Sequence, residues 1–224
     1  MINIKLSNRL KTIADMVKKG SRIIDVGCDH AFLDIYLVKN NIVKKAIASD
    51  ITKGAINQAI KNVNTYNLND KIDIRLGDGL STLKEKDKVD TVIISGMGDK
   101  TINNILKNYN LKNINNLIIQ SNLGIVNIRK EIVKLGYKII DEKIVIEKDK
   151  YYIIINFEKG KAKYKSKEYY FGPVLLKNKD ELFNKYYSKK LRKYFNIFIH
   201  LPKTNIIEKI KIIYIISKIK KEIK

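Results

Sequence analysis

Four short polar segments could carry chemistry, because each follows an apolar run and contributes an acidic or hydroxyl side chain. They are Asp25-Val26-Gly27-Cys28-Asp29, Asp50-Ile51, Gly77-Asp78-Gly79-Leu80 and Ser95-Gly96-Met97-Gly98. Carboxylates accept hydrogen bonds from hydroxyl and amino groups, and glycine lets the backbone approach a ligand closely. Loops that follow the strands of an open α/β sheet share one edge. The four segments therefore predict a single binding site built from four strand ends.

The first segment does not suit a dinucleotide. A phosphate-binding loop needs a second and a third glycine, and Asp29 and Phe32 occupy those places here. Acidic groups repel phosphate but attract a cation. S-adenosylmethionine fits, because it has no phosphate and carries a sulfonium, an ammonium and a ribose diol. Alone, the Asp-x-Gly pattern is equally typical of an ordinary strand, turn and helix; the four segments together favour the ligand.

Each strand end has an expected contact with that ligand. Asp50 follows the second strand, where an acid can accept both ribose hydroxyls. Asp78 can accept from an adenine amino group, and the segment from Ser95 lies beside the transferred group. The expected cofactor contacts are Asp25, Gly27, Cys28, Asp50, Ile51, Asp78, Gly79, Ser95, Gly96 and Met97.

The fourth segment also limits the methyl acceptor. It lacks the Asn/Asp-Pro-Pro-aromatic motif of enzymes that methylate exocyclic amino nitrogens. The single cysteine, Cys28, lies in the first loop and not by the fourth or fifth strand, as cytosine-C5 methylation would require. A ring nitrogen is therefore still possible as the methyl acceptor. Cys28 is better interpreted as a small loop residue near the ligand.

Alternating strand and helix patterns position these segments. Helix 7–18, with Ser7 as N-cap, precedes strands 22–26, 45–50, 72–76, 89–94 and 114–120, and helices follow several of them. Two further strands, 137–146 and 151–157, have no helix between them and predict an antiparallel edge. Residues 1–160 therefore predict an α/β, Rossmann-like, seven-stranded domain. Seven strands with such an edge resemble the class I methyltransferase architecture.

The last third of the chain has a different pattern. Residues 158–172 are interpreted as a linker, and two apolar stripes on either side of Pro202 predict a helical coiled-coil hairpin within residues 161–224. The first stripe is Phe183, Tyr187, Leu191, Tyr194, Phe198 and Leu201, and the second is Ile206, Ile210, Ile213, Ile216, Ile219 and Ile223. We expect the stripes to form the seam of the hairpin.

The net charge of +22 favours a polyanionic partner; a lysine-rich composition of the source genome is the alternative origin for part of it. Residues 161–224 hold 18 basic and 5 acidic residues, so the excess is densest there. Nucleic acid is the leading partner, and an anionic membrane surface is the alternative for this region. One cysteine fits a reducing cytoplasm, and the sequence shows neither a signal peptide nor an apolar run long enough for a membrane span.

The segments resemble the bacterial tRNA (adenine-22-N1)-methyltransferase family, TrmK. The residues that carry the resemblance are Leu6-Ser7-Asn8-Arg9-Leu10, Asp25 to Leu33, Gly77-Asp78-Gly79-Leu80, Gly96-Met97-Gly98, Gln120-Ser121-Asn122, Ile128-Arg129 and Gly172-Pro173-Val174-Leu175. They span nearly the whole chain. Cys28, Asp99 and Ser121 depart from the family pattern, in which serine, glycine and proline are usual.

The resemblance implies methylation of N1 of adenosine 22 in the tRNA D-loop, with tRNA as partner and no obligate protein partner evident. It implies Arg9, Gln120, Asn122 and Arg129 as substrate contacts. N1 carries a lone pair, so it can attack the sulfonium methyl in line without a metal. Asp29 is the candidate carboxylate beside the cationic product, and His30 is a candidate proton acceptor; a helix N-terminal residue is the alternative for His30.

Three other functions stay open at this point. A class I methyltransferase could act on another RNA or at another ring nitrogen. A non-catalytic RNA-binding protein could retain the same frame, although the full set of cofactor positions argues against it. A NAD-dependent oxidoreductase lacks the glycine fingerprint.

Overall fold

The structure is a computed structural model that describes residues 4–202 and 204–223. Seven strands run as β1 (Arg22–Val26), β2 (Lys45–Asp50), β3 (Ile72–Leu76), β4 (Thr91–Met97), β5 (Asn116–Ser121), β6 (Tyr137–Glu147) and β7 (Lys150–Lys159). The α-helices of the described residues are α1 (Asn8–Met16), α2 (Phe32–Lys39), α3 (Lys53–Thr65), α4 (Asp99–Lys107), α5 (Ile125–Lys134), α6 (Ser166–Phe171), α7 (Pro173–Asn178), α8 (Glu181–His200) and α9 (Ile206–Lys220).

The strands form one sheet in the order β3-β2-β1-β4-β5-β7-β6. β1 to β5 pair in parallel, and β7 is antiparallel to both β5 and β6. This confirms the predicted Rossmann-like sheet with an antiparallel edge. Because the chain order reverses between β1 and β4, the carboxyl ends of these two strands flank the crevice in which open α/β sheets bind ligands.

Both faces of the sheet are covered. Ile24 and Val92 pack into one core with α4 and α5, while Ile23 and Ile93 pack into the other with α1, α2 and α3. Parallel strands that are buried on both sides need apolar residues at nearly every position, which the strands of this chain supply. The polar residues at the carboxyl ends of the strands are exceptions to this apolar pattern.

The prediction of a linker over residues 158–172 is wrong for much of that segment. β7 continues to Lys159, and α6 occupies Ser166–Phe171 with the Phe171 ring fully buried. A helix of six residues is too short to show a helical period in the sequence. α6 and α8 pack Phe171, Phe183 and Tyr187 into the same core as the sheet.

α8 and α9 contact each other as the predicted hairpin, and α8 ends at His200, before Pro202. The first predicted stripe is buried or half-buried along its length. The second stripe is wrong in its first half, because Ile206, Ile210 and Ile213 are exposed while Ile212 is buried. Isoleucine occupies so many positions of α9 that its period does not single out the buried face. No helix within residues 4–202 and 204–223 has the length and apolarity to cross a membrane.

Candidate functional site

A cleft of about 250 Å³ lies at the carboxyl ends of β1 and β4. The residues that line it are Arg9, Leu10, Asp25, Gly27, Cys28, Asp29, His30, Phe32, Leu33, Ser95 and Gly96. Five of the expected cofactor contacts and both candidate catalytic residues are thus brought together. Since α1 supplies Arg9 and Leu10, a third element closes the cleft beside the two strand ends.

The loop after β1 owes its shape to three residues with positive φ. Gly27, Asp29 and Ala31 have φ values of +79°, +52° and +56°, and α2 begins only at Phe32. The Gly27 and Cys28 amides both donate to the Ser49 carbonyl, at 2.8 and 3.0 Å. These bonds hold the loop against the end of β2, which leaves Asp29 and His30 at the rim of the cleft.

Gly27 cannot carry a side chain without displacing a neighbour. A Cβ there would lie 2.6 Å from Met97 Cε, and its φ of +79° disfavours any other residue. We expect Gly27→Ala to weaken S-adenosylmethionine binding by at least about tenfold, because the loop must shift out of the cleft. Calorimetric titration with S-adenosylmethionine measures the affinity of each variant. Gly54→Ala is the control, since its Cβ meets nothing within 4 Å; equal affinities in the two variants would contradict the role given to the loop.

The remaining cofactor candidates lie outside the enclosed cleft. Asp50 is half-buried, and its Oδ1 accepts from the Thr52 amide and hydroxyl, both at 2.9 Å, while its Oδ2 accepts from the Asp29 amide at 3.4 Å. Ile51 and Asp78 are exposed, at the ends of the neighbouring strands β2 and β3. Gly79 is buried against Ile105. Asp50, Ile51 and Asp78 thus follow the strand ends next to the cleft without lining it.

A second buried carboxyl lies behind the cleft. Asp34 is fully buried in α2, and the Asp25 and Asp34 carboxyls are close enough that each shifts the pKa of the other. The pKa of Asp25 is raised to about 7, chiefly by burial; the Asp34 side chain lowers this pKa, and the Asp50 charge raises it. Burial also raises the pKa of Asp34 well above its usual range. The sequence analysis missed Asp34, although an acid between Leu33 and Ile35 of an apolar helix was a visible signal.

This pair makes cofactor affinity depend on pH. A cation beside Asp25 favours the ionised carboxyl, so binding expels a proton and affinity rises by about tenfold from pH 6 to pH 8. Stability of the free protein changes the opposite way, because a raised carboxyl pKa means that stability falls as pH rises from about 4 through about 7. Titrations in buffers of different ionisation enthalpy count the protons. Asp25→Asn removes the group that titrates and should flatten the profile; a slope that persists in this variant would contradict the assignment.

Three of the four expected substrate contacts form one hydrogen-bonded network. Arg9 Nη1 donates to Gln120 Oε1 at 2.7 Å, and Gln120 Nε2 donates to Asn122 Oδ1 at 3.1 Å. Asn122 Nδ2 then donates to the Gly96 carbonyl at 2.7 Å, and the Gly96 amide donates to Gln120 Oε1 at 3.1 Å. The network ties α1, β4 and β5 together. Gln120 is fully buried inside it, so it positions Arg9 and Asn122, which are accessible, and does not itself face the cleft.

The prediction that Arg129 contacts substrate is wrong for this structure. Arg129 is fully buried, and its Nε donates to Glu142 Oε1 at 2.7 Å. Its Nη1 donates to the carbonyls of Tyr169 and Tyr170 at 3.1 and 3.3 Å. The family resemblance implied a substrate contact for Arg129, whereas its side chain binds the backbone of α6.

Asp29 and His30 are accessible to a large substrate. Their side chains are 75% and 47% exposed, and His30 Nε2 lies 3.4 Å from Asp29 Oδ1. The His30 carbonyl accepts from Asn62 Nδ2 at 2.8 Å, so the backbone here is fixed while the two side chains face outward. The pair can place a negative charge and a proton acceptor beside a base that enters the cleft.

Two of the three departures from the family pattern make local contacts beside the site. The Ser121 hydroxyl donates to the carbonyls of Leu123 and Met97, which holds the turn after β5. Asp99 Oδ2 accepts from Asn127 Nδ2 at 2.8 Å and packs on Gly124. The Cys28 thiol is buried, and burial raises its pKa, so it is not a nucleophile here.

Comparisons with known proteins agree with this geometry. The family TrmK, tRNA (adenine(22)-N(1))-methyltransferase, matches residues 23–223. The tRNA (adenine(22)-N(1))-methyltransferase of Bacillus subtilis is 37% identical over 200 residues, which cover 86% of this chain and 84% of that protein.

Solved structures show the same fold over the whole chain. A protein of the NADB-Rossmann superfamily from Streptococcus agalactiae superimposes with a TM-score of 0.95 at 34% identity and covers 100% of this chain and 99% of that one. TrmK of M. capricolum, solved with S-adenosyl-homocysteine, has a TM-score of 0.88 at 36% identity, with 96% of each chain covered.

Proposed function

The chain belongs to the tRNA (adenine(22)-N(1))-methyltransferase family, and from that membership we propose that it transfers the methyl group of S-adenosylmethionine to N1 of adenosine 22 in the D-loop of tRNA. The proposal rests on one observation, that the acidic cleft and the hydrogen-bonded network lie next to each other. The acidic cleft of Asp25, Gly27 and Asp29 opens directly beside the network of Arg9, Gln120 and Asn122.

The residues of the cleft fit S-adenosylmethionine. The carboxylates of Asp25 and Asp50 suit its ammonium, sulfonium and ribose diol, and the backbone at Gly27 allows close approach. Asp78 is positioned on the third strand end for the adenine amino group. When bound, S-adenosylmethionine supplies an electrophilic methyl group beside Ser95, Gly96 and Met97.

The acceptor atom needs little activation. N1 of adenine has a lone pair, so it attacks the methyl group in line, and much of the rate comes from alignment by the Arg9–Gln120–Asn122 network. Transfer makes the base cationic, and the Asp29 carboxylate stabilises that charge. His30 accepts a proton that leaves the N6 amino group. Because N1 lies on the Watson–Crick edge, adenosine 22 must be unpaired or flipped out.

Residues 1–160 act in this proposal as the catalytic unit, and residues 161–224 act as a basic helical unit that binds tRNA phosphates. The charge of the second unit supports the assignment, since lysines on α8 and α9 greatly outnumber its acidic residues. A tRNA substrate places the reaction in the cytoplasm.

Labelled S-adenosylmethionine and two unmodified transcripts test the proposal, one tRNA with adenosine at position 22 and one with guanosine there. We expect label in the first transcript alone. Label in both would keep the methyltransferase but move its target to another nucleotide. Label in neither, with cofactor binding intact, would overturn the assignment of adenosine 22.

A further inference from the structure

A second cavity of about 590 Å³ adjoins the catalytic cleft. It lies between the β6–β7 turn, the end of β5 and one face of α8. The residues that line it are Ser121, Asn122, Asp149, Lys150, Tyr151, Tyr152, Tyr186, Lys189, Lys190 and Lys193. A smaller cavity of about 330 Å³ continues it along Leu123, Tyr170 and Tyr194. We call the larger cavity the Tyr–Lys groove.

Two contacts link the Tyr–Lys groove to the catalytic cleft. Asn122 lines the groove and donates to Gly96 in the cleft at 2.7 Å. The Arg9 guanidinium lies 5.4 Å from the centre of the Tyr152 ring, so one side chain touches both sites. A chain that delivers a base to the cleft can therefore continue into the groove.

The chemistry of the groove is that of a single-stranded nucleic acid site. Tyr151, Tyr152 and Tyr186 are half-buried, in contrast to Tyr187, which is fully packed in the core. Lys189 Nζ lies 5.3 Å from the Tyr151 ring centre, and Lys190 Nζ lies 4.9 Å from that of Tyr186. Aromatic rings stack on bases, and interleaved lysines bind the phosphates between them.

The electrostatic balance favours an anion. Lys150, Lys189, Lys190 and Lys193 make no ion pair with a carboxylate among the residues described, and Asp149 is the one acidic residue in the lining. Four cations with one carboxylate in a concave, partly apolar site suit a phosphodiester chain with exposed bases.

We propose that the Tyr–Lys groove holds the unpaired nucleotides next to the target adenosine, with bases on Tyr151, Tyr152 and Tyr186 and phosphates on Lys189, Lys190 and Lys193. The proposal deepens the proposed function and rests on it for the identity of the RNA. It explains how the target base leaves its stack, because stacking of the neighbours on tyrosine offsets the stacking that is lost.

The test uses a tRNA transcript with adenosine 22 and 2-aminopurine at the next position. We expect wild-type protein to quench the fluorescence of 2-aminopurine, and Tyr151→Leu to abolish the quenching and raise the tRNA Kd roughly tenfold. Tyr151→Phe keeps the ring and should bind within about twofold of wild type. Tyr66→Leu, at the far end of α3, is the aromatic control and should change nothing.

The salt dependence of tRNA binding tests the lysines of the groove. Lys193→Gln should reduce the slope of log Kd against log salt by about one. Lys18→Gln, in a cavity with Asp90 and Asn115 at the opposite edge of the sheet, is the matched control. Thermal unfolding and cofactor titration show that each variant is folded.

Two results would contradict the role proposed for the Tyr–Lys groove. One is unchanged quenching and affinity in Tyr151→Leu, and the other is equal loss in the leucine and phenylalanine variants, which would assign the contact to the hydroxyl. If wild-type protein binds the transcript with this tyrosine dependence but does not methylate it, the groove stands and the proposed target fails. If it methylates the transcript without the dependence, the target stands and the groove fails.

Discussion

Arg129→Met is expected to lower the free energy of unfolding by about 3–5 kcal/mol, because it leaves the Glu142 carboxylate buried without its cation. Arg129 binds Glu142 and two carbonyls of α6, and Glu142 Oε2 accepts from the Val174 amide at 3.0 Å. Gly172, at a φ of +91°, packs so closely that a Cβ would lie 2.4 Å from Glu142 Oε2. Loss of Arg129 therefore loosens the junction between the sheet and the C-terminal helices.

Denaturant unfolding at two pH values measures this effect. Burial raises the pKa of Glu142, and Arg129 opposes that rise, so the variant carboxyl takes up a proton more readily. The loss should accordingly be smaller at pH 5 than at pH 8. The double variant with Arg129→Met and Glu142→Leu should recover part of the lost free energy of unfolding. The control is Lys138→Ala, which breaks an exposed pair with Glu158 and should leave Tm close to wild type. Equal loss in Lys138→Ala would contradict the burial argument.

Asp29→Asn is expected to lower kcat on the order of a hundredfold, while cofactor and tRNA affinities change by only a few-fold. The substitution removes the charge but keeps a side chain that tolerates the left-handed backbone, since Asp29 has a φ of +52°. Binding of tRNA covers the exposed carboxylate and removes water from it, which strengthens its effect on the cationic base.

Single-turnover kinetics with saturating tRNA measure the chemical step. Asp70→Asn, an exposed acid that precedes β3 at the other edge of the sheet, should react at the wild-type rate. His30→Gln should lower kcat by less than Asp29→Asn does. A wild-type rate in Asp29→Asn would remove this residue from the mechanism.

Much of the fold could be predicted because its signals are local. β1, β2 and β3 have the predicted bounds, and Ser7 caps α1 as expected. Parallel strands buried on both faces are visible as apolar runs, and the polar residues that end them mark the functional edge. Asp25, Asp29 and Ser95 meet in one cleft for that reason.

The parts that could not be predicted depend on contacts between distant residues. The role of Arg129 is set by carbonyls of α6, about forty positions away, and by Glu142 on β6. α6 is too short to show a period, and α9 has too many isoleucines for its buried face to stand out. The Tyr–Lys groove joins the β6–β7 turn to α8, so its tyrosines and lysines appear in the sequence as unrelated residues.

Primer extension across the reacted tRNA tests the central claim most directly, because a methyl group on N1 blocks the Watson–Crick edge that reverse transcriptase reads. With wild-type protein, S-adenosylmethionine and the adenosine-22 transcript, we expect a new stop one nucleotide before position 22. Asp29→Asn should give the same stop, only more slowly. Full-length extension past position 22, while label enters the same transcript, would contradict N1 of adenosine 22 as the acceptor.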